Sequence, residues 1–304
     1  MQWLIVGQGA IGSLMAASLQ RSGNNVALKL RQPEITSVAL GMQGAQFQFS
    51  TQNLPLSQPM HVFAAIKAYS VGDFLDELQQ WPLPAGSTLI LSYNGMLDNE
   101  PSLLPTDTLH WVTTHGAYRD GPTVVHAGQG ESWLGWAQPQ QASTPTPETI
   151  LQALNNALPE VHWSDSIQQR RWQKLAMNCL INPFTVIHQC RNGELPPSIR
   201  AEQHKLAEEL VWLAHQHQLA LNADELVQQA WQVIAQTAAN YSSMYMDVKH
   251  QRRTEIDYLN GFVARQADQL GGSAPQHKAI WHRVRELSLD GVVGFAVFDE
   301  VDHF

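Results

Sequence analysis

The start of the chain constrains its fold more than any other feature. Trp3-Leu-Ile-Val6 is a short apolar run, and Gly7-Gln-Gly-Ala-Ile-Gly12 follows it at once. Ser13-Leu14-Met15-Ala16-Ala17-Ser18-Leu19 comes next, rich in small and unbranched helix formers. A strand that turns through GxGxxG into a helix is the first half of a βαβ unit. The first glycine permits the tight turn, the second lets backbone approach a pyrophosphate, and the third lets helix and strand pack closely. The helix N-terminus adds N–H groups and partial positive charge that suit phosphates. Gly7, Gln8, Gly9, Ala10, Ile11 and Gly12 are therefore candidate dinucleotide-binding positions. The competing reading is a glycine-rich turn with no ligand.

The first half continues in the same rhythm. Ser22-Gly23 closes the helix and Val26–Leu30 is the next strand. Val62–Ile66 and Thr88–Leu91 are further strands, with a helix over Val71–Trp81 between them. This alternation predicts a parallel sheet covered on both faces. Trp111–Thr114, Val124–His126 and Trp133–Trp136 read as an added antiparallel section. Residues 137–147 are the most loop-like stretch. Glu148–Leu158 reads as a helix with Thr146 as N-cap and Pro147 at its first position, and Val161–Trp163 as an edge strand. The domain boundary is placed near Ser164. Beyond Ile167 strand signals nearly vanish, and Gln168–Asn182, Arg200–Gln218, Asp224–Ala239 and Met244–Leu270 carry helical periodicity. The expectation is an α/β Rossmann-type domain over 1–164 and an all-α domain over 165–304. The segment Leu289–Phe304 carries no assignment.

With 304 residues, 44% of them hydrophobic, the chain is long enough for two cores. A net charge of -9 argues against a nucleic-acid surface. No apolar run approaches membrane-spanning length, and no signal peptide is read at the N-terminus. The two cysteines, Cys179 and Cys190, form no CxxC pair, which suits a reducing, cytoplasmic compartment. Thirteen histidines include no HExxH, and His215 and His217 fall on different helix faces, so no metal is expected. Monomer and homodimer both remain open.

The end of the second strand bears on which dinucleotide binds. NAD sites usually place a carboxylate there for the ribose 2′-hydroxyl. Here stand Lys29-Leu30-Arg31-Gln32. Arg31 offers a fork for a 2′-phosphate, which favours NADP(H); a solvated loop arginine is the alternative. Lys67 and Asn94 follow predicted strands, at the ends where open α/β sheets hold ligands.

A second feature lies in the helical half. Lys174, Asn178 and Asn182 stand four residues apart among Leu175, Ala176, Met177, Cys179, Leu180 and Ile181. Each four-residue step on a helix turns by about 40°, so the three share one stripe. Polar groups against an apolar core need a partner, whether water, protein or substrate. Pro183 disfavours helix at Asn182 and predicts a kink or an end there. Asn182 could then be a plain C-cap, and Ser243 a plain N-cap for the helix from Met244.

In order and spacing, several short motifs resemble the ketopantoate reductase (2-dehydropantoate 2-reductase) family, from Met1 to about Arg285. They are Gly7-Gln-Gly-Ala-Ile-Gly12, Ile66-Lys67-Ala68, Tyr93-Asn94-Gly95-Met96 and Lys174-Leu-Ala-Met-Asn178. Further along come Ile181-Asn-Pro183, Arg191-Asn-Gly-Glu194, Asn240-Tyr-Ser-Ser243 and Glu255-Ile-Asp257-Tyr-Leu-Asn-Gly261. The resemblance implies NADPH-dependent reduction of 2-dehydropantoate to (R)-pantoate on the pantothenate route to coenzyme A, with the site in a cleft between a Rossmann and a helical domain. It implies Lys174 as proton donor. A lysine beside an apolar wall and a cationic neighbour has a lowered pKa, and as a cation it stabilises a growing alkoxide. It implies substrate contacts from Asn178, Asn182, Asn192 and the run Asn240, Tyr241, Ser242 and Ser243. It implies cofactor contacts from Lys67, Asn94, Ala117 and Glu255, the last on a helix Thr254–Gln266 and also meeting the lysine.

Two alternatives stay open. Another 2-oxo acid shares the ketone and carboxylate. A non-catalytic NADPH-binding sensor would keep the glycine loop and Arg31 but need not keep Lys174, Asn178, Asn182 and Glu255 together.

Overall fold

The computed structural model describes residues 1–138 and 146–289. Most of the loop expected at 137–147 and all of the tail after Leu289 lie outside them. The chain divides into two compact units, one of residues 1–93 and 99–171, the other of 94–98 with 172 onward.

The first unit is built on an 11-stranded sheet. In chain order its strands are β1 (Gln2–Val6), β2 (Asn25–Lys29), β3 (Ser37–Met42), β4 (Ala45–Thr51), β5 (His61–Ala65) and β6 (Thr88–Ser92), then β7 (Leu109–Thr113), β8 (Gly116–Asp120), β9 (Thr123–Gly128), β10 (Ser132–Trp136) and β11 (Val161–Trp163). The spatial order is β11-β10-β7-β6-β5-β1-β2-β4-β3-β9-β8. The run β7-β6-β5-β1-β2-β4 is parallel. The alternating pattern predicts β6, β5, β1 and β2 in it, whereas β7, expected in the antiparallel section, pairs parallel with β6. Helices α1 (Ala10–Arg21), α2 (Val71–Gln80), α3 (Glu100–Leu103) and α4 (Glu148–Ala157) accompany it. Leu14, Met15 and Leu19 of α1 pack into one core with Trp3, Ile5, Phe63 and Trp111. Fully burying each such side chain contributes about 1.5–3 kcal/mol.

Three features depart from the sequence reading. The hairpin β3–β4 has no counterpart in it. Its two-residue turn, Gln43-Gly44, has φ of 50° and 79°, the conformation that Asn-Gly usually signals; glutamine hides it. The added strands also do not form one section. β10 is antiparallel to β7, whereas β9 pairs with β8 and touches β3 at the opposite edge. Helix α4 begins at Glu148 with Pro147, not Thr146, at the N-cap position and no side-chain cap.

The second unit is helical. Helix α5 (Ile167–His188) starts in the first unit and runs into the second, and the expected boundary near Ser164 lies just ahead of it. Then come α6 (Arg200–Gln216), α7 (Ala223–Gln236), α8 (Ser243–Lys249), α9 (Asn260–Gln269) and α10 (Pro275–Leu289). Helix α5 does not end at Asn182; it continues through Pro183 to His188. The carbonyl of Cys179 loses its helical donor to the proline and accepts from Asn260 Nδ2 at 3.4 Å instead. Gln203 Nε2 donates to the next carbonyl, Leu180 O, at 2.7 Å. The stretch Met244–Leu270 is not one helix. Gln251, at φ 53°, ends α8 in the left-handed conformation, and a 3-10 turn, Ile256–Tyr258, precedes α9. Glu255 therefore sits in a turn rather than on a helix.

Candidate active site

In the first unit, the glycine loop divides by function. A Cβ on Gly7 would run into the Ala65 carbonyl, and one on Gly12 into the Gly7 carbonyl. Gly7 also has φ +100°. Both are required by packing alone. A Cβ on Gly9 would meet nothing within 4 Å, so this position needs no glycine for the protein's own sake. Gly9 is the N-cap of α1 without a side-chain cap, and Ala10 and Ile11 open the helix. Bare backbone facing open space at a helix start fits a diphosphate.

Arg31 follows β2, and its Nη2 donates to Ser70 Oγ at 2.9 Å. Lys29 is neutralised by Glu77 at 2.9 Å. Ser70 was not foreseen; it closes the 3-10 turn Ala68–Ser70 that Lys67 opens. Ala117 lies in β8, partly buried. Arg119, two residues on, was also missed. Its Nη1 donates to the Gln8 carbonyl at 3.2 Å.

In the second unit, Lys174, Asn178 and Asn182 are each partly exposed, while Leu175, Ala176, Cys179, Leu180 and Ile181 around them are buried. Among the described residues these three side chains make no hydrogen bond within the protein. That leaves water or a ligand as partner. A shallow pocket is lined by Asn94, Asn182, Ser243, Met244, Asp247, Glu255 and Leu259. Glu255 is 4% exposed, and Asn94 Nδ2 donates to its Oε2 at 3.0 Å. Asn94 is held there because Met96 N donates to Tyr258 O at 2.9 Å. Gly95, at φ +79°, leaves no room for a side chain against the same carbonyl. Burial lowers the Lys174 pKa to about 8, with the charge of Glu255 pulling the other way.

Of the stripe only Asn182 lines this pocket; Lys174 and Asn178 do not, and the remaining expected residues of this unit also stand apart from its lining. Asn192 is buried, with Nδ2 on Thr237 Oγ1 at 2.8 Å and its N–H on the Asn240 carbonyl at 3.0 Å. Ser242, not Ser243, is the N-cap of α8: its Oγ accepts from Tyr245 N at 3.0 Å and shares a hydrogen bond with Thr185 Oγ1 at 2.6 Å. Tyr241 is exposed and stacks on Tyr245 at 4.7 Å. Asp247 joins the pocket unforeseen. It lies four residues after Ser243, on the same face of α8, so its signal was present in the sequence. Among the described residues no cluster of metal-ligating side chains occurs, and no helix is long and apolar enough to cross a membrane.

Residues 3–139 match the family described as Ketopantoate reductase PanE/ApbA, and 166–288 match its C-terminal counterpart. The 2-dehydropantoate 2-reductase of Vibrio cholerae is 36% identical, over 94% of this chain and 98% of its own. That of Escherichia coli is 33% identical, over 94% of each. Among solved structures, a Ralstonia eutropha ketopantoate reductase covers 95% of this chain and 98% of its own at TM-score 0.80 and 24% identity. A D-mandelate dehydrogenase solved with NADH and anilino(oxo)acetate covers the same shares at TM-score 0.85 and 21% identity. At those identities the solved structures speak for the fold. Two family matches spanning most of the chain, together with curated relatives above 30% identity, show that the chain belongs to the ketopantoate reductase family of oxidoreductases.

Proposed function

We propose that this chain reduces 2-dehydropantoate to (R)-pantoate with NADPH as cofactor. The observation that carries the reading is Lys174. Burial brings its pKa to about 8, which leaves it protonated at neutral pH yet able to give the proton up. Lys174 supplies the proton to the ketone oxygen and, while charged, stabilises the oxyanion that develops there. Glu255 keeps the lysine from losing its proton too early, and Asn94 fixes the carboxylate in turn. Asn178 and Asn182 each present a donor and an acceptor to the substrate's hydroxyl and carboxylate, and Ser243 adds a hydroxyl. Ordered polar groups around one reacting centre convert binding into orientation.

The glycine loop would hold the dinucleotide's diphosphate, and Arg31 with Ser70 its 2′-phosphate. Lys67 and Ala117 are read as further cofactor contacts. When bound, the nicotinamide supplies the hydride. Neither fit is specific to one oxo acid. The test is NADPH oxidation with 2-dehydropantoate against a panel of 2-oxo acids. The expected result is the highest kcat/KM on 2-dehydropantoate. A clearly higher value on an unbranched 2-oxo acid would move the substrate assignment. Tight NADPH binding with no turnover on any member would favour a sensor.

A further inference from the structure

We propose that Arg119 is a diphosphate-binding residue, bracing the glycine loop and supplying a cation to the dinucleotide from a distant strand. The proposal rests on the cofactor reading above. Strand β8 turns Ala117 and Arg119 inward and leaves Tyr118 and Asp120 exposed. Arg119 Nη1 donates to the Gln8 carbonyl at 3.2 Å and to Ser13 Oγ at 3.4 Å. Its Nε and Nη2 both donate to the Gly121 carbonyl, at 3.2 and 2.7 Å. These bonds fix the guanidinium plane against the loop. One N–H on Nη2 is left without a protein acceptor.

The charge is equally unsatisfied. Among the described residues Arg119 makes no ion pair. The first turn of α1 holds no acidic residue, and Gly9 caps it with bare backbone. A guanidinium placed beside the positive end of a helix is unfavourable unless an anion joins them. No described residue fills the space at Gly9, which leaves room for that anion. Gln8 connects the two: its carbonyl is tied to Arg119, and the next residue is Gly9. Arg119 thus acts on the part common to both nicotinamide dinucleotides, whereas Arg31 acts on the 2′-phosphate of one.

The test compares the intact chain with R119M and R119K, titrated with NADPH, NADH and ADP-ribose at low and high salt. R119M is expected to weaken all three by about tenfold or more, because a charge-assisted contact is lost. Its affinities should also depend less on salt. R119K, which keeps the charge but cannot grip Gly121 through two nitrogens, is expected to recover most of the loss. Wild-type affinity of R119M for all three would overturn the proposal. So would a loss in R119K as large as in R119M with the salt dependence of the wild type, which would mark a bracing role alone. If R119M does not fold, R119Q takes its place under the same criteria. Failure of the wild-type chain to bind any of the three would instead overturn the cofactor reading itself.

Discussion

Two nearly sealed carboxylates, one in each unit, face cations with opposite results. Glu100 and Arg171 are 7% and 6% exposed. The guanidinium grips both carboxylate oxygens, one bond at 2.7 Å, and its Nη2 also meets Tyr93 Oη at 3.0 Å. Burial alone would raise the Glu100 pKa, but Arg171 and His110 outweigh it and hold the carboxyl below its usual range. Beside them His110 is driven to about 3 by burial and by Arg171, so it stays neutral. Every charge in this cluster has a fixed partner. Glu255 is as deeply buried, yet Lys174 makes no ion pair with it among the described residues. Desolvation there lowers the cation's pKa instead of being offset by contact. The first arrangement fixes protonation states and the second leaves one near the pH of use. Arginine suits the first because it does not titrate, and lysine the second because it does.

That contrast can be broken by substitution. The largest effect is expected from Glu100→Ala, which strands a buried guanidinium and should cost about 3–5 kcal/mol of stability, read by denaturant unfolding. A loss under about 1 kcal/mol would mean the cluster is not sealed. Lys174→Ala is expected to leave unfolding nearly unchanged and lower turnover about 10²-fold or more. A near-normal rate would remove the proton-donor role. Smallest is Arg31→Ala, expected to weaken NADPH about tenfold and NADH hardly at all, since only NADPH carries the 2′-phosphate. Equal losses would leave Arg31 without a selective role.

The two sites differ in how far the sequence reveals them. The glycine loop is local: strand, turn and helix are consecutive, and Gly7 and Gly12 are fixed by clashes within a few residues or with the neighbouring strand. The polar stripe on α5 is equally legible, because four-residue spacing maps directly onto one helix face. What spacing does not reveal is which residues from elsewhere complete a pocket. Leu259 enters after the break between α8 and α9, and that break depends on a left-handed Gln251 with no glycine to announce it. Ser242 and Ser243 are adjacent, and only the cap geometry shows that Ser242 is committed to the backbone. Helix α5 passes Pro183 because Asn260, far along the chain, supplies the missing donor.

The pH dependence of kcat/KM, in the wild type and in Glu255→Gln, tests the tuned lysine most directly. Lys174 must carry its proton to donate it, so the rate should be full below its pKa and fall as pH rises through about 8. Removing the negative charge of Glu255 takes away what holds that pKa up, so the limb should move to lower pH. A limb that stays in place or moves to higher pH in Glu255→Gln would contradict the assignment of Lys174 and Glu255.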